Sequence, residues 1–444
     1  MRVWVYLIAL LSPGSALAHV SEQGFVLLLP TGGYILGGAA TVALTVLALA
    51  FAPKAKVEAL FKTFRLPVLR AIGIRFGAQL FALIVFLLCI GFGFIGASDP
   101  LRNPLTLLVW TVFWIGLVCI QGAFFDIWRW INPFAGAARL GADAGWRAPF
   151  RLPTYSHWPA LVLFIAFAAF LLADPAPSDP RRLAKFALGY LGFSVIGCAL
   201  FGPRWLVRVE VMTVLMRTYR QSALVSGGRL GVWGWRCVRA ATPGLALALL
   251  ILALLGLGSF DGLNETFWWL GQIGVNPLEF PGRSAVINET VAGLLIANIA
   301  LIVFYAAFIW AGVRLAGGNF AISFRVFAPS LLPIAIAYHV AHYLTSFLVD
   351  AQYVKSLVST TFGGEQIAVT TGFFNTLATV RIIWLSQAGA VVLGHVAALL
   401  VAHALALKLY GDRKAATLSQ LPLALFMILY TLFGLWLLAS PRGA

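Results

Sequence analysis

Charge is scarce in this chain of 444 residues: only 10% are Asp, Glu, Lys or Arg, whereas 61% are hydrophobic and the mean hydropathy is +0.93. A water-soluble globule could not hide that much apolar surface, so the solvent for most of the chain is lipid. Cysteine is scarce as well. Cys89, Cys119, Cys198 and Cys237 show no paired spacing, which excludes a disulfide framework and a cysteine-rich metal site. Short alternating segments are missing, which excludes a transmembrane β-barrel. Internal repeats, low-complexity linkers and a soluble domain are missing too. Acids number 15 against 31 Lys and Arg, a formal charge of +16. The cations cluster beside apolar runs rather than on a soluble face interleaved with acids, so nucleic acid is not the expected partner.

What is present is a succession of apolar runs about twenty residues long, the length a helix rising about 1.5 Å per residue needs to cross the hydrocarbon core. The expected fold is an all-α polytopic transmembrane bundle of about ten spans, near 33–52, 77–97, 104–124, 157–173, 184–203, 241–259, 288–312, 327–349, 385–407 and 421–439. Residues 1–18 read as a cleavable secretory signal: Arg2, an apolar run from Val3 to Leu11, a Ser12-Pro13-Gly14 break and Ala16-Leu17-Ala18 as the cleavage site. Residues 19–444 then form a single membrane domain with outward loops at 260–286 and 350–384. In this frame the inward loops hold 22 Lys and Arg and the outward segments eight. That bias places the mature N-terminus and the C-terminus on the periplasmic side of a bacterial cytoplasmic membrane, with the bilayer itself as the main partner. The inward stretch 205–240, with arginines among apolar residues, is expected to lie partly on the membrane surface.

Ionisable side chains at bilayer depth cost a few kcal/mol each, about 2.5–3.5 for the most polar, so they mark partners or tasks. His339 and His342 stand three residues apart in Tyr338-His339-Val340-Ala341-His342-Tyr343, on one face of the eighth span. His395, on the antiparallel ninth span, is expected at nearly the same depth, with His403 about 12 Å further along a similar face. Convergence of these imidazoles suits zinc, copper, nickel or iron, and two of them on facing helices suit a haem iron. The alternative is hydrogen bonding among them that only ties helices together. His19, first after cleavage, offers an amine and an imidazole for copper. Asp261, Glu265 and Glu279, with Trp268 and Trp269, are expected in the outward loop, either capping a pocket over the histidines or solvated. Asp126 is expected to pair with Arg129. Gly91-Phe92-Gly93-Phe94-Ile95-Gly96 spells a dinucleotide fingerprint, but it lies within a span and follows no strand; close helix packing explains it better.

The chain resembles the bacterial integral-membrane proteins labelled fenitrothion hydrolase-like. The resemblance is carried by the small-residue cleavage site before His19, by Asn103, Phe113-Trp114-Ile115-Gly116-Leu117, Asp126 and Asn132-Pro133, and by Ser259-Phe260-Asp261-Gly262. It continues through Ser330-Leu331-Leu332-Pro333-Ile334-Ala335, Ala341-His342-Tyr343, Gly394-His395 and Ala402-His403. The resemblance implies hydrolysis of an organophosphate ester. The leading expectation from the residues is transition-metal binding, copper or zinc, by His342 and His395 with His339, His403 or His19. The alternatives are a metal-dependent hydrolase of small hydrophobic (phospho)esters and haem-linked electron transfer.

Overall fold

A computed structural model describes residues 24–67, 72–152 and 157–442; the expected signal segment and His19 lie outside them. The chain is an all-α bundle, and nine helices among the described residues are long and apolar enough to cross a membrane. They are α1 (Thr31–Phe51), α2 (Ile72–Ile95), α3 (Pro104–Ala123), α5 (Pro180–Phe201), α7 (Leu245–Asn264), α8 (Ile287–Ala316), α9 (Leu332–Thr361), α10 (Leu377–Tyr410) and α11 (Arg413–Ala439). A tenth apolar helix, α4 (Trp158–Ala173), is shorter at 16 residues. All ten expected spans are therefore helical.

Polar residues at the run ends set the helix boundaries. Asn103 accepts the Leu105 N–H at 3.0 Å to start α3, while its amide nitrogen donates to the Phe92 and Ala97 carbonyls at the end of α2. Asp179 and Asp412 cap α5 and α11 in the same way. Each such cap satisfies a backbone donor that lipid cannot.

Burial sorts the helices into layers. In α7, 78% of the most apolar window is buried inside the protein, and in α9 and α10 72%, against 17% in α1 and 22% in α2. The first three are the centre and the last two face outward. Small residues permit the close approach of the central helices. A Cβ on Gly394 of α10 would lie 2.3 Å from Ala337 Cβ and 2.9 Å from the Pro333 carbonyl of α9. Gly262 of α7 faces the Tyr338 hydroxyl of α9, and Gly256 faces Asn298 of α8. Within the rejected fingerprint, Gly93 packs against Leu105 and Ala184, which is the packing role expected of it.

Three expectations are corrected. First, 205–240 is not all at the surface: seven of the nine residues of α6 (Val211–Tyr219) are buried, and the helix packs beside α3 and α4. Its N-cap is Glu210, fully buried, whose two oxygens accept from Met212 N, Thr213 N and the Tyr190 hydroxyl. A small antiparallel sheet joins this segment to the α1–α2 linker, with β1 (Phe64–Arg65), β2 (Val225–Ser226) and β3 (Arg229–Leu230) in the order β1-β3-β2. Phe64 pairs with Leu230 and Arg65 with Arg229, while Val225 pairs with Leu230 and Ser226 with Arg229. Second, α7 continues to Asn264, α9 to Thr361, and α10 starts at Leu377, so the two expected loops shrink to 265–286 and 362–376. α7 outruns its apolar run because Asp261 finds partners inside the bundle, and α9 because Gln352, Ser356 and Ser359 bond to the 365–370 segment of the following loop. Third, Asp126 pairs with Arg220 at 3.2 Å, not with Arg129.

Two outcomes are expected of these arrangements. Gly394→Leu forces α9 and α10 apart and lowers thermal stability in detergent by about 1–3 kcal/mol, whereas Gly389→Leu, which meets nothing within 4 Å, leaves it unchanged. Burial holds the Glu210 carboxyl above the usual carboxylate range, so the folded state binds a proton the unfolded state has already lost. Stability from this group is complete below the unfolded carboxyl pKa and is lost as pH rises through the raised folded value. Glu210→Gln should therefore gain on the wild type as pH rises from 4 to 8, as read by unfolding midpoints.

Candidate functional site

The site is assembled from three helices at the end of the bundle bearing 265–286. α7 supplies Asp261 in its last turn. α9 supplies Tyr338, His339, His342 and Tyr343, which the i, i+3, i+4 spacing brings to adjoining faces. α3 supplies Trp114 from an eleven-residue π-helical stretch, Leu107–Leu117. Such wide turns are rare and gather at functional sites; here the Trp114 carbonyl accepts from His339 Nε2 at 2.8 Å, and its ring meets His339 edge to face at 5.1 Å.

Asp261 is the hub. One of its carboxylate oxygens, Oδ2, lies 3.0 Å from His342 Nε2 and 2.5 Å from the Tyr343 hydroxyl. A carboxylate can only accept, so Nε2 carries the imidazole proton and the Nδ1 lone pair is left over. Nδ1 is buried and has no hydrogen-bond partner, as does the Tyr338 hydroxyl, whose ring stacks on His342 with centroids 5.9 Å apart. Gln387 of α10 donates to the Ala341 carbonyl at 2.8 Å and pins the backbone next to His342.

A cavity of about 660 Å³ lies over this hub, a size suited to a small organic molecule. Asp261 and His342, 11% and 7% exposed, form its floor; Glu265 and Arg283, 44% and 39% exposed and 3.8 Å apart, stand at its rim. Trp110, Trp114 and Trp269 supply apolar wall. Residues 440–442 close one side: Phe267 N donates to the Pro441 carbonyl, Thr266 and Arg442 form an antiparallel bridge, and Arg442 lines the cavity. Beneath the floor lies a void of about 10 Å³, the scale of a single water, bordered by Tyr219 at the end of α6, by Tyr338 and by His339. The two spaces share Trp114, Asp261, His342 and Tyr343 as their common wall.

The expected convergence of His339, His342 and His395 is not found. His339 binds the α3 backbone and His342 binds α7. His395 donates through Nδ1 to its own helix at Val391, 2.9 Å away, and lies beside Tyr430 of α11. His403 donates to Gln420 of α11 at 2.7 Å. Among the described residues no group of three or more His, Cys, Asp or Glu side chains gathers as metal ligands. The reason is rotational: side chains sharing a depth on antiparallel helices meet only if both faces turn to one seam, and α10 presents Gly394 to α9 while His395 turns toward α11.

The sequence placed Asp261 in the outward loop, as a cap over the histidines or solvated, because hydropathy ends the sixth span before it; Tyr343 and Trp114 carry no sequence signal that sets them apart as site residues. No family model matches the chain, and neither the curated proteins nor the solved structures compared with it gave a match.

Removing the hub leaves two buried donors without an acceptor, each costing about 1–3 kcal/mol. Asp261→Leu should therefore lower the unfolding midpoint far more than Asp261→Asn, which keeps one acceptor oxygen; equal midpoints for the two variants would contradict the role given to the carboxylate.

Proposed function

We propose that the chain is a membrane-embedded hydrolase of small hydrophobic esters or phosphotriesters, with the cavity open to the periplasmic side of a bacterial cytoplasmic membrane. The observation that carries this reading is the Asp261–His342 pair on the floor of an amphipathic cavity, with Nδ1 unpaired. A neutral imidazole whose Nε2–H is held by a buried carboxylate is oriented to act as a general base through Nδ1, and the carboxylate stabilises the imidazolium that results. A water that reaches the buried Nδ1 of His342 loses a proton to it as its oxygen attacks the carbonyl or phosphoryl centre. The imidazolium then returns that proton to the departing alcohol or phenol. Tyr343, donating to the same Asp261 oxygen, holds the carboxylate in place and is a positioning residue. The tryptophan walls suit an aromatic or alkyl leaving group, and the resemblance to fenitrothion hydrolase-like proteins agrees with a phosphotriester substrate. The cation bias of the loops supports the periplasmic orientation.

The same pair favours one second reading, metal handling, because histidines that ligate metals commonly donate their other ring N–H to a carboxylate. His342 Nδ1 is one unpaired nitrogen, and among the described residues no group of three or more His, Cys, Asp or Glu gathers around it, so this reading leans on further donors such as His19, which the sequence names.

Detergent-purified protein should hydrolyse at least one of a panel of aryl phosphotriesters and carboxylic esters, with His342→Gln slower by about 10²–10⁴-fold. A wild-type rate no higher than that of His342→Gln across the panel sinks the hydrolase reading. Stoichiometric copper or zinc that survives chelator in the wild type and is lost in His342→Ala would favour metal handling instead.

A further inference from the structure

At the end of the bundle opposite the cavity, cations outnumber their partners. Asp126, at the end of α3, is buried to about a tenth of its exposed area; its Oδ1 accepts from Gln121 at 3.0 Å and its Oδ2 pairs with Arg220 at 3.2 Å. Arg220 satisfies only part of its guanidinium this way, since its Nε is buried with no partner. Arg217, one turn earlier on α6, and Arg236, beside the Gly227 turn, make no hydrogen bond or ion pair among the described residues. Arg236 is half-buried and Arg217 reaches the surface. Both guanidinium groups feel Asp126 and Arg220, and burial together with the Arg220 charge holds both below the ordinary arginine range. With Arg75, which also feels Asp126, four guanidinium groups share one carboxylate, a local excess of three positive charges. Phe124 and Phe125, 55% and 47% exposed, stand immediately beside Asp126.

We propose that Arg217, Arg220 and Arg236 form a phosphate-binding site for the headgroup of an anionic phospholipid, with the acyl chains against Phe124 and Phe125. Guanidinium forks match phosphate oxygens in pairs, and a bound phosphodiester supplies the missing countercharge. The adjoining exposed aromatic rings favour a lipid over a free anion, because they suit hydrocarbon and not water. Juxtamembrane arginines also lie at the depth of the headgroups. The site is independent of the hydrolase reading, since it shares no residue with the cavity.

The test uses full-length protein in mild detergent, titrated with phosphatidylglycerol, phosphatidylcholine or inorganic phosphate, read by retained lipid in native mass spectrometry and by the unfolding midpoint. Phosphatidylglycerol should be retained in preference to phosphatidylcholine, and Arg217→Gln/Arg236→Gln should bind it about 30-fold more weakly. Asp126→Asn, which removes the competing carboxylate, should bind it more tightly, and this keeps the test decisive if the arginine variant fails to fold. Unchanged retention in the arginine variant, no tightening in Asp126→Asn, or equal retention of phosphatidylcholine would overturn the site. A midpoint shift with inorganic phosphate as large as that with phosphatidylglycerol would overturn the lipid as its source.

Discussion

The constraint on which the rest of the structure depends is a single carboxylate, Asp261, placed inside an apolar bundle. An isolated carboxylate there is costly, and attraction to a partner repays desolvation only when the geometry is good and the remaining lone pairs are used. Asp261 accepts from two neighbouring residues of α9 through one oxygen, and its side chain keeps 11% exposure to the cavity. The central helices are therefore locked in rotation as well as in contact: a turn of α9 by one residue would break both bonds at once. The imidazole in turn is held in one tautomer, which is what gives the site directed chemistry rather than mere polarity.

The packing around this hub follows from it. α7 and α9 approach closely enough for the bond because Gly258 and Gly262 leave room for the Tyr338 ring, and α9 and α10 because Gly394 does the same for Ala337 and the Pro333 carbonyl. The π-helical turns of α3 bring the Trp114 carbonyl to His339, so the neighbouring histidine is also satisfied. Polar contacts and small residues thus supply the specificity that a uniformly apolar bundle in lipid lacks.

The two ends of the molecule differ in kind. One carries a cavity reaching down to the hub, rimmed by charges of both signs. The other is filled by α6, anchored by Glu210 and Tyr190, and carries an excess of arginine. The void beneath Asp261 and His342 is bordered by Tyr219 from the end of α6, so the inserted helix supports the floor of the cavity from below. A change at either end bears on the same four-residue wall.

Sequence alone determined the apolar solvent and the ten helical runs, because hydropathy sums over twenty residues and caps such as Asn103 and Asp412 act locally. It did not determine which way each helix is turned about its own axis. His339, His342 and His395 were expected at one depth, yet their rings go to α3, α7 and the α11 side, and Asp261, expected in the loop, became the partner of His342. Only tertiary structure decided those matters, since rotation about a helix axis is set by small residues and buried partners on other helices, and an almost uniformly apolar run carries no periodicity from which to read it.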